Sequence, residues 1–378
     1  MSPSKAYRIG VIGFGHMHIN DVMRRFSEVP DIRWVACADT VPDVPETKVG
    51  TFTRAWNLRY AHETIGIPKV YDDYREMLDK EQFDIVAVYS ENAKHGEIAE
   101  AVAAKGCNIL VEKPMAASLA DALRMVRAAK AAGVKLVVNW PSTWAPTTTK
   151  VKQLVDRGVI GRIYQVKWRA GHTGPLAAGA QHQGVAGGAA ELTDADRGRT
   201  WWHRAGTGGG ALLDFTSYGA CLSRWYIGEP AVAAFALAAN LGSPYAQTED
   251  NAIVSVRFPS AMALFEASWT TLDHGVPTGP ILYGENGTLV VERRGDQQVV
   301  KIARGRGSAP EYVEAEPLPA GRQSIAQEYV HHLSTGEPLH PTLEPQFNLE
   351  AMAILDAAVR SVQSGKLELV NDVRWCVG

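Results

Sequence analysis

A chain of 378 residues with 46% hydrophobic and 21% charged residues can bury a large core, and it exceeds the size at which one core usually divides in two. Its net charge of -3 and pI near 6.4, with no run of Lys and Arg interleaved with aromatics, exclude nucleic acid as a partner. Cys37, Cys107, Cys221 and Cys376 form no CxxC pair, and the longest apolar stretch, residues 231 to 239, is about half a membrane span, so neither a disulfide framework, a thiolate metal site nor a membrane helix is expected.

The opening "MSPSKAYRIG" lacks the charged-then-apolar order of a signal peptide, which leads to the expectation of a cytoplasmic protein. The first 140 residues then alternate short apolar runs with amphipathic segments, the pattern of repeated βαβ units around a parallel sheet. Residues 8 to 12, 33 to 38, 83 to 90, 108 to 112 and 135 to 139 are the expected strands. Helices fit between them: Ile19, Val22, Met23 and Phe26 recur at helical spacing, and Ser118 with Asp121 opens a helix that Gly133 stops. Residues 41 to 66 form a long passage, part of which, "FTRAWNLRYAHETIG", reads as a helix. A doubly wound domain over 1–140 is therefore expected, followed by a second domain over 141–378.

That second part begins with a helix near 147 to 157 and the run "RIYQVKWRA". From Gly171 to Gly210 little periodicity is visible, and loops of that length are usually functional or disordered. A helix from Asp214 to about Gly228 follows, then β-like runs separated by turn signals such as "PS" and "ENG", which describes an α+β domain with an open, largely antiparallel sheet.

The first helix is preceded by "GFGHMH", in which Gly13 and Gly15 occupy the first two glycine positions of a dinucleotide turn and His18 the third. Gly13 permits the turn, Gly15 admits a pyrophosphate to the backbone, and the unpaired amides of a helix start favour an anion. His18 then implies a slightly displaced helix, since the third glycine serves packing. An ordinary strand-to-helix turn gives the same two glycines. Asp39 closes the second strand 24 residues after Gly15, near the separation at which an acid reaches the adenosine ribose and repels a 2′-phosphate, so NAD is preferred with NADP left open. A solvated aspartate at a strand end is the alternative.

The stretch "CNILVEKPMAASLADALRMV", with Glu112, Lys113 and Pro114 directly after a strand, resembles the signature of the glucose-fructose oxidoreductase and inositol dehydrogenase family, Gfo/Idh/MocA. "YDDYREML" at 71, "SENAKH" at 90 to 95, "GGGALLDFTSYGACLSRWYIG" at 208 and "ENGTLVVE" at 285 extend the resemblance along nearly the whole chain. The resemblance implies a Rossmann domain, an α+β domain whose sheet often serves oligomer formation, and a cleft between them for nicotinamide and a sugar or polyol. A homodimer or homotetramer is the assembly implied. Lys113, Asp214 and Tyr218 match the family's catalytic positions, with Tyr218 where many members have His. The implied cofactor contacts are Gly13, Phe14, Gly15, His16, Met17, Asp39, Ser90, Asn92, His95, Glu112, Lys113 and Asn139. The implied substrate contacts are Trp144 and His172 beside Lys113, Asp214 and Tyr218.

In this reading Tyr218 removes a hydroxyl proton, Lys113 stabilises the alkoxide and lowers the phenol's pKa, and Asp214 orients Lys113 or binds a neighbouring hydroxyl, with the Lys and Tyr roles exchangeable. Ser90 and Glu91 depart from the Thr and Pro the family often carries. His16 with His18, and His331 with His332, raise the question of a metal, but neither pair has an acidic or cysteine ligand at a useful sequence spacing, so no metal is expected. "TWWHR" at 200 to 204 can line a sugar site or simply pack. Two other functions stay open: glycoside cleavage through transient oxidation by NAD, and a non-catalytic dinucleotide sensor on the same fold.

Overall fold

The computed structural model describes residues 6–180, 182, 185, 188 and 191–373. Six strands form the first sheet: β1 (Tyr7–Ile12), β2 (Ile32–Ala38), β3 (Val70–Tyr71), β4 (Ile85–Val88), β5 (Asn108–Glu112) and β6 (Leu136–Asn139). All are parallel, in the order β3-β2-β1-β4-β5-β6, the doubly wound arrangement of a Rossmann fold. Strands buried on both faces read as unbroken apolar runs, and β4 and β6 are buried at every position.

The helices between them start and stop where local chemistry dictates. Ser118 accepts the Asp121 amide at the start of Leu119–Ala132, and Gly133 ends that helix in the left-handed region at φ +67°. "FTRAWNLRYAHETIG" becomes an α-helix over Arg54–Arg59 that loosens into a π-helix over Tyr60–Ile65.

The second sheet has nine strands: β7 (Ile163–Gly171), β8 (Ala233–Ala239), β9 (Asn251–Arg257), β10 (Met262–Ser268), β11 (Ile281–Gly284), β12 (Gly287–Arg294), β13 (Gln297–Ala303), β14 (Glu311–Val313) and β15 (Glu368–Leu369). Their order is β14-β13-β12-β11-β7-β10-β9-β8-β15, and only β7 with β10 is parallel among the pairs. The alternation of β9 puts Ala252, Val254 and Val256 in the core and leaves Ile253 outside, where it pairs directly with exposed Leu237. The helices Ser217–Ile227 and Pro345–Ser364 cover the inner face.

The C-terminal part of the chain also returns to the first sheet. Ile325, Tyr329 and Leu343 pack in one core with Ile9, Val11 and Leu110, and the Tyr329 hydroxyl donates to the carbonyls of Ile109 (3.2 Å) and Lys135 (3.1 Å). Among the described residues no helix is long and apolar enough to cross a membrane. Part of the Gly171 to Gly210 segment, and Cys376, lie outside the described residues.

Burial leaves several histidines neutral: His203 and His340 are lowered to about 4 and His182 to about 3 by desolvation. The unfolded chain protonates these rings first, so their stabilising contribution is complete above the ordinary value of 6.5 and is lost as pH falls toward the folded values. Unfolding free energy from urea titration should therefore fall between about pH 7 and pH 5.5, each ring adding at most ~1.4 kcal/mol per pH unit. A flat profile over that window would contradict neutral burial of these rings.

Candidate functional site

The turn after β1 is built as the two glycines require. Gly13 has φ +87°, and a side chain there would meet the Ser90 backbone at 2.4 Å. Its neighbours are held by the ends of adjacent strands: the Phe14 amide donates to Asp39 Oδ1 (2.9 Å) and the His16 amide to the Tyr89 carbonyl (3.0 Å). Asp39 thus closes β2 directly beside the turn. Its Oδ1 also accepts from the Thr40 amide and from Arg54, both at 2.8 Å, and burial pushes its carboxyl up against the opposing pull of Arg54.

Arg54 has no counterpart among the residues expected from sequence. It is 7% exposed and donates to Asp39, to Thr40 Oγ1 (2.8 Å) and to Glu91 Oε2 (2.9 Å), with Glu46 Oε1 at 3.6 Å. Its Nη2 and the Trp201 indole lie 3.1 and 3.2 Å from where a Gly15 Cβ would stand, and the Trp201 Nε1 donates to the Gly15 carbonyl at 2.8 Å. A side chain at position 15 would press on both groups by a few tenths of an ångström. The first two glycines and the acid at the strand end fit the adenosine and pyrophosphate part of a dinucleotide, whose approach to Gly15 requires the Trp201 indole to yield the space it fills.

Other expected cofactor residues brace the same end of the sheet. His95 is fully buried with its ring nitrogens 3.2 Å from the Met115 carbonyl and 3.3 Å from that of Ser90, and burial lowers its pKa. It ties the loop after β4 to the loop after Pro114. Asn92 donates to the Gly208 carbonyl at 2.7 Å, joining that loop to the second domain. Asn139 donates to the Tyr89 hydroxyl at 3.2 Å and lies 3.5 Å from Glu112 Oε2.

Lys113 follows β5 and is 1% exposed. Its ammonium donates to Asp214 Oδ1 at 2.7 Å and to the Asp214 carbonyl at 3.0 Å, and stands 4.6 Å from the centre of the Tyr218 ring, over its face. Asp214 comes from a single π turn, Leu212–Thr216, and Tyr218 from the α-helix that continues it, so the two side chains share one face across the junction. The Trp269 indole donates to the other Asp214 oxygen at 3.2 Å. The Tyr218 ring stacks on Trp168 and meets Trp140 edge-on.

Charge follows from this packing. Desolvation is the largest single influence and works against the Lys113 ammonium, but Asp214, Tyr218 and Glu112 together outweigh it and the net shift is upward. Lys113 with its hydrogen bonds draws Asp214 below the usual carboxylate range despite burial. The expected lowering of Tyr218 is outweighed: Lys113 does pull it down, yet burial pushes the phenol well above its ordinary value. Lys113 is consequently a fixed cation, and the phenol is a protonated group until further positive charge enters the cavity.

The three residues line a cavity of about 420 Å³ together with His16, His18, His172 and His182. His172 accepts the Gly174 amide at Nδ1 (2.9 Å), which leaves its proton on Nε2, and burial lowers its pKa. Trp144 lies elsewhere: it lines a neighbouring cavity of about 410 Å³ whose shared members with the first are Met17, His18 and His182. Trp201 and Trp202 of "TWWHR" are packed, with centroids 3.9 Å apart.

One expectation needs correction. His16 and His18 do have an acidic neighbour, because β5 delivers Glu112 to them: His18 Nδ1 is 2.8 Å and His16 Nε2 3.8 Å from Glu112 Oε1. Sequence spacing could not show a contact made across the sheet.

Comparison with known proteins assigns both parts of the chain to one family. Residues 7–140 match the profile described as "Oxidoreductase family, NAD-binding Rossmann fold", and residues 148–290 the "GFO/IDH/MocA C-terminal domain". The chain is 24% identical over 372 residues to a myo-inositol 2-dehydrogenase of Thermotoga maritima, covering 97% of this chain and 99% of that one. It is 31% identical over 234 residues to a 1,5-anhydro-D-fructose reductase of Ensifer adhaerens, covering 61% and 63%. Among solved structures it is similar to an aldose-aldose oxidoreductase from Caulobacter crescentus complexed with glycerol, with TM-score 0.75, 23% identity and coverage of 97% and 100%.

Proposed function

The chain belongs to the Gfo/Idh/MocA family of oxidoreductases, with an NAD-binding Rossmann domain, and from that premise we propose that it oxidises, reversibly, a secondary or anomeric hydroxyl of a sugar, polyol or related cyclic substrate. The convergence of Lys113, Asp214 and Tyr218 on one cavity carries this reading. The nicotinamide, when bound, supplies the hydride acceptor.

The chain's own residues manage the proton and the charge. Lys113, kept cationic by Asp214, donates a hydrogen bond to the reacting oxygen and stabilises the alkoxide as it forms. Tyr218 takes the hydroxyl proton once the added positive charge of the oxidised coenzyme offsets the burial of its phenol. Asp214 holds the ammonium in place through both its carboxylate and its carbonyl. His172 offers Nε2–H to a neighbouring substrate hydroxyl. Retention of the lysine, aspartate and tyrosine together favours an enzyme over a dinucleotide sensor.

Asp39 at the end of β2 supports NAD over NADP. The uncovered face bearing Leu237, Ile253 and Met262 supports a homodimer or homotetramer. The test is absorbance at 340 nm with NAD or NADP and a panel of sugars, polyols and glycosides. Accumulation of NADH with at least one polyol or sugar, and a KM for NADP at least ~10-fold above that for NAD, is the expected outcome. Release of a free sugar from a glycoside without NADH accumulation would replace this reading with transient oxidation. Silence with every panel member would remove it.

A further inference from the structure

His16, His18 and Glu112 meet where the glycine turn borders the Lys113 cavity, and hydride transfer makes no use of their meeting. One ligand atom from each lies within 4.8 Å of the others. Glu112 is a fully buried carboxylate with His18 at 2.8 Å and the Asn139 amide at 3.5 Å; the Tyr89 hydroxyl also hydrogen-bonds it, and the charge of Lys113 acts on it without a direct ion pair. His16 is 2% exposed, and its Nε2 has no hydrogen-bond partner although it points toward Glu112 at 3.8 Å. A buried polar atom without a partner costs stability that packing alone does not return, and a buried carboxylate calls for a cation.

The donor set has a definite chemistry. Two imidazole nitrogens and one carboxylate oxygen suit a borderline divalent ion such as Zn²⁺, Co²⁺ or Fe²⁺. Donors at about 2.0 to 2.2 Å from one ion lie roughly 3 to 3.5 Å apart, so the 3.8 Å gap, and the span of up to 4.8 Å across the three ligand atoms, close when the two imidazole rings turn toward Glu112. His16 and His18 also line the cavity that holds Lys113, Asp214 and Tyr218, with His182 beside them. Three protein ligands with one side open to a cavity is the pattern of a site that binds a reactant, as distinct from a closed structural one.

We propose that His16, His18 and Glu112 form a divalent transition-metal site whose open coordination position faces the Lys113 cavity. Binding takes three local changes. The Glu112 carboxylate exchanges its bond from His18 for the ion. His18 presents a deprotonated ring nitrogen. His16 moves its ring proton from Nε2 to Nδ1, giving up the 3.2 Å contact that Nδ1 now accepts from the His18 amide. The metal site stands without the hydride-transfer reading; its role there, gripping an oxygen of the carbohydrate-like substrate beside the reacting one, rests on that reading.

The test uses the full chain, stripped with a chelator and titrated with ZnCl₂ by calorimetry and with CoCl₂ by visible absorbance. About one equivalent of each ion is expected, with the Co²⁺ spectrum showing ligand-field bands of a low-coordinate site. His18→Ala and Glu112→Gln should each weaken uptake by at least ~10-fold, whereas His331→Ala, a partly exposed histidine paired with Glu337, should bind as the wild type does. Uptake that is absent, or unchanged in both variants, would overturn the proposal; so would a wild-type Co²⁺ spectrum equal to that of the hydrated ion, which decides the matter even if a variant does not fold. Metal uptake without NADH formation on any substrate would remove hydride transfer and leave the site; NADH formation without metal uptake would do the reverse.

Discussion

Replacing Lys113 by alanine should lower kcat by about 10²- to 10⁴-fold while coenzyme affinity stays within a few-fold. The ammonium hydrogen-bonds Asp214, faces the Tyr218 ring and lines the cavity together with both. Its removal takes away the donor that stabilises developing negative charge, and it also removes the pull that opposes the burial-driven rise of the Tyr218 pKa. The same change leaves Asp214 buried without its counter-ion, which costs about 3–5 kcal/mol of stability. Lys113→Met combined with Asp214→Asn separates the two effects. The double variant should regain most of the lost stability, since neither charge remains, and none of the lost turnover. Recovery of turnover with stability would assign Lys113 a purely structural role.

Arg54→Leu should destabilise the fold by about 3–5 kcal/mol at pH 7. This guanidinium is the shared counter-ion of Asp39, Glu46 and Glu91, all of them in its immediate shell. Without it, desolvation loses a main opponent at all three carboxylates: Asp39 and Glu46, already raised by burial, rise further, and Glu91, now held below its ordinary value, rises from there. A group whose folded pKa is raised takes up protons more readily when folded, so acidification from pH 7 to 5 should shrink the deficit relative to the wild type. Urea titrations at the two pH values measure this. A deficit below about 1 kcal/mol, or one that grows on acidification, would show that the cluster contributes no more than an exposed ion pair.

The first domain was legible because its physics is local. Parallel strands buried on both faces leave continuous apolar runs, and Ser118 and Gly133 mark their helix by capping chemistry that any reader of the sequence can recognise. β3 has two residues, too few to carry a period. Asp39 could be placed from its position at a strand end. Arg54 could not, because its contacts arise from the 41 to 66 passage folding back over the glycine turn.

The same reason explains Glu112. β5 lies beyond β4 from β1, so nothing in the spacing between residues 18 and 112 reports that their side chains touch. Lys113, Asp214 and Tyr218 are legible only through family resemblance, since their convergence depends on the π turn that carries Asp214. The packing of Ile325–Thr335 onto the first sheet likewise left no local trace.

The proposed function requires a lysine held cationic by Asp214 to work beside a bound coenzyme on a carbohydrate-like hydroxyl. The most direct measurement is NADH formation at 340 nm, recorded side by side for the wild type and for Lys113→Met with Asp214→Asn, at saturating NAD and with the best substrate of the panel. Rapid accumulation in the wild type and a loss of at least ~10²-fold in an equally stable, NAD-binding double variant is the predicted result. Equal rates in the two proteins would contradict it.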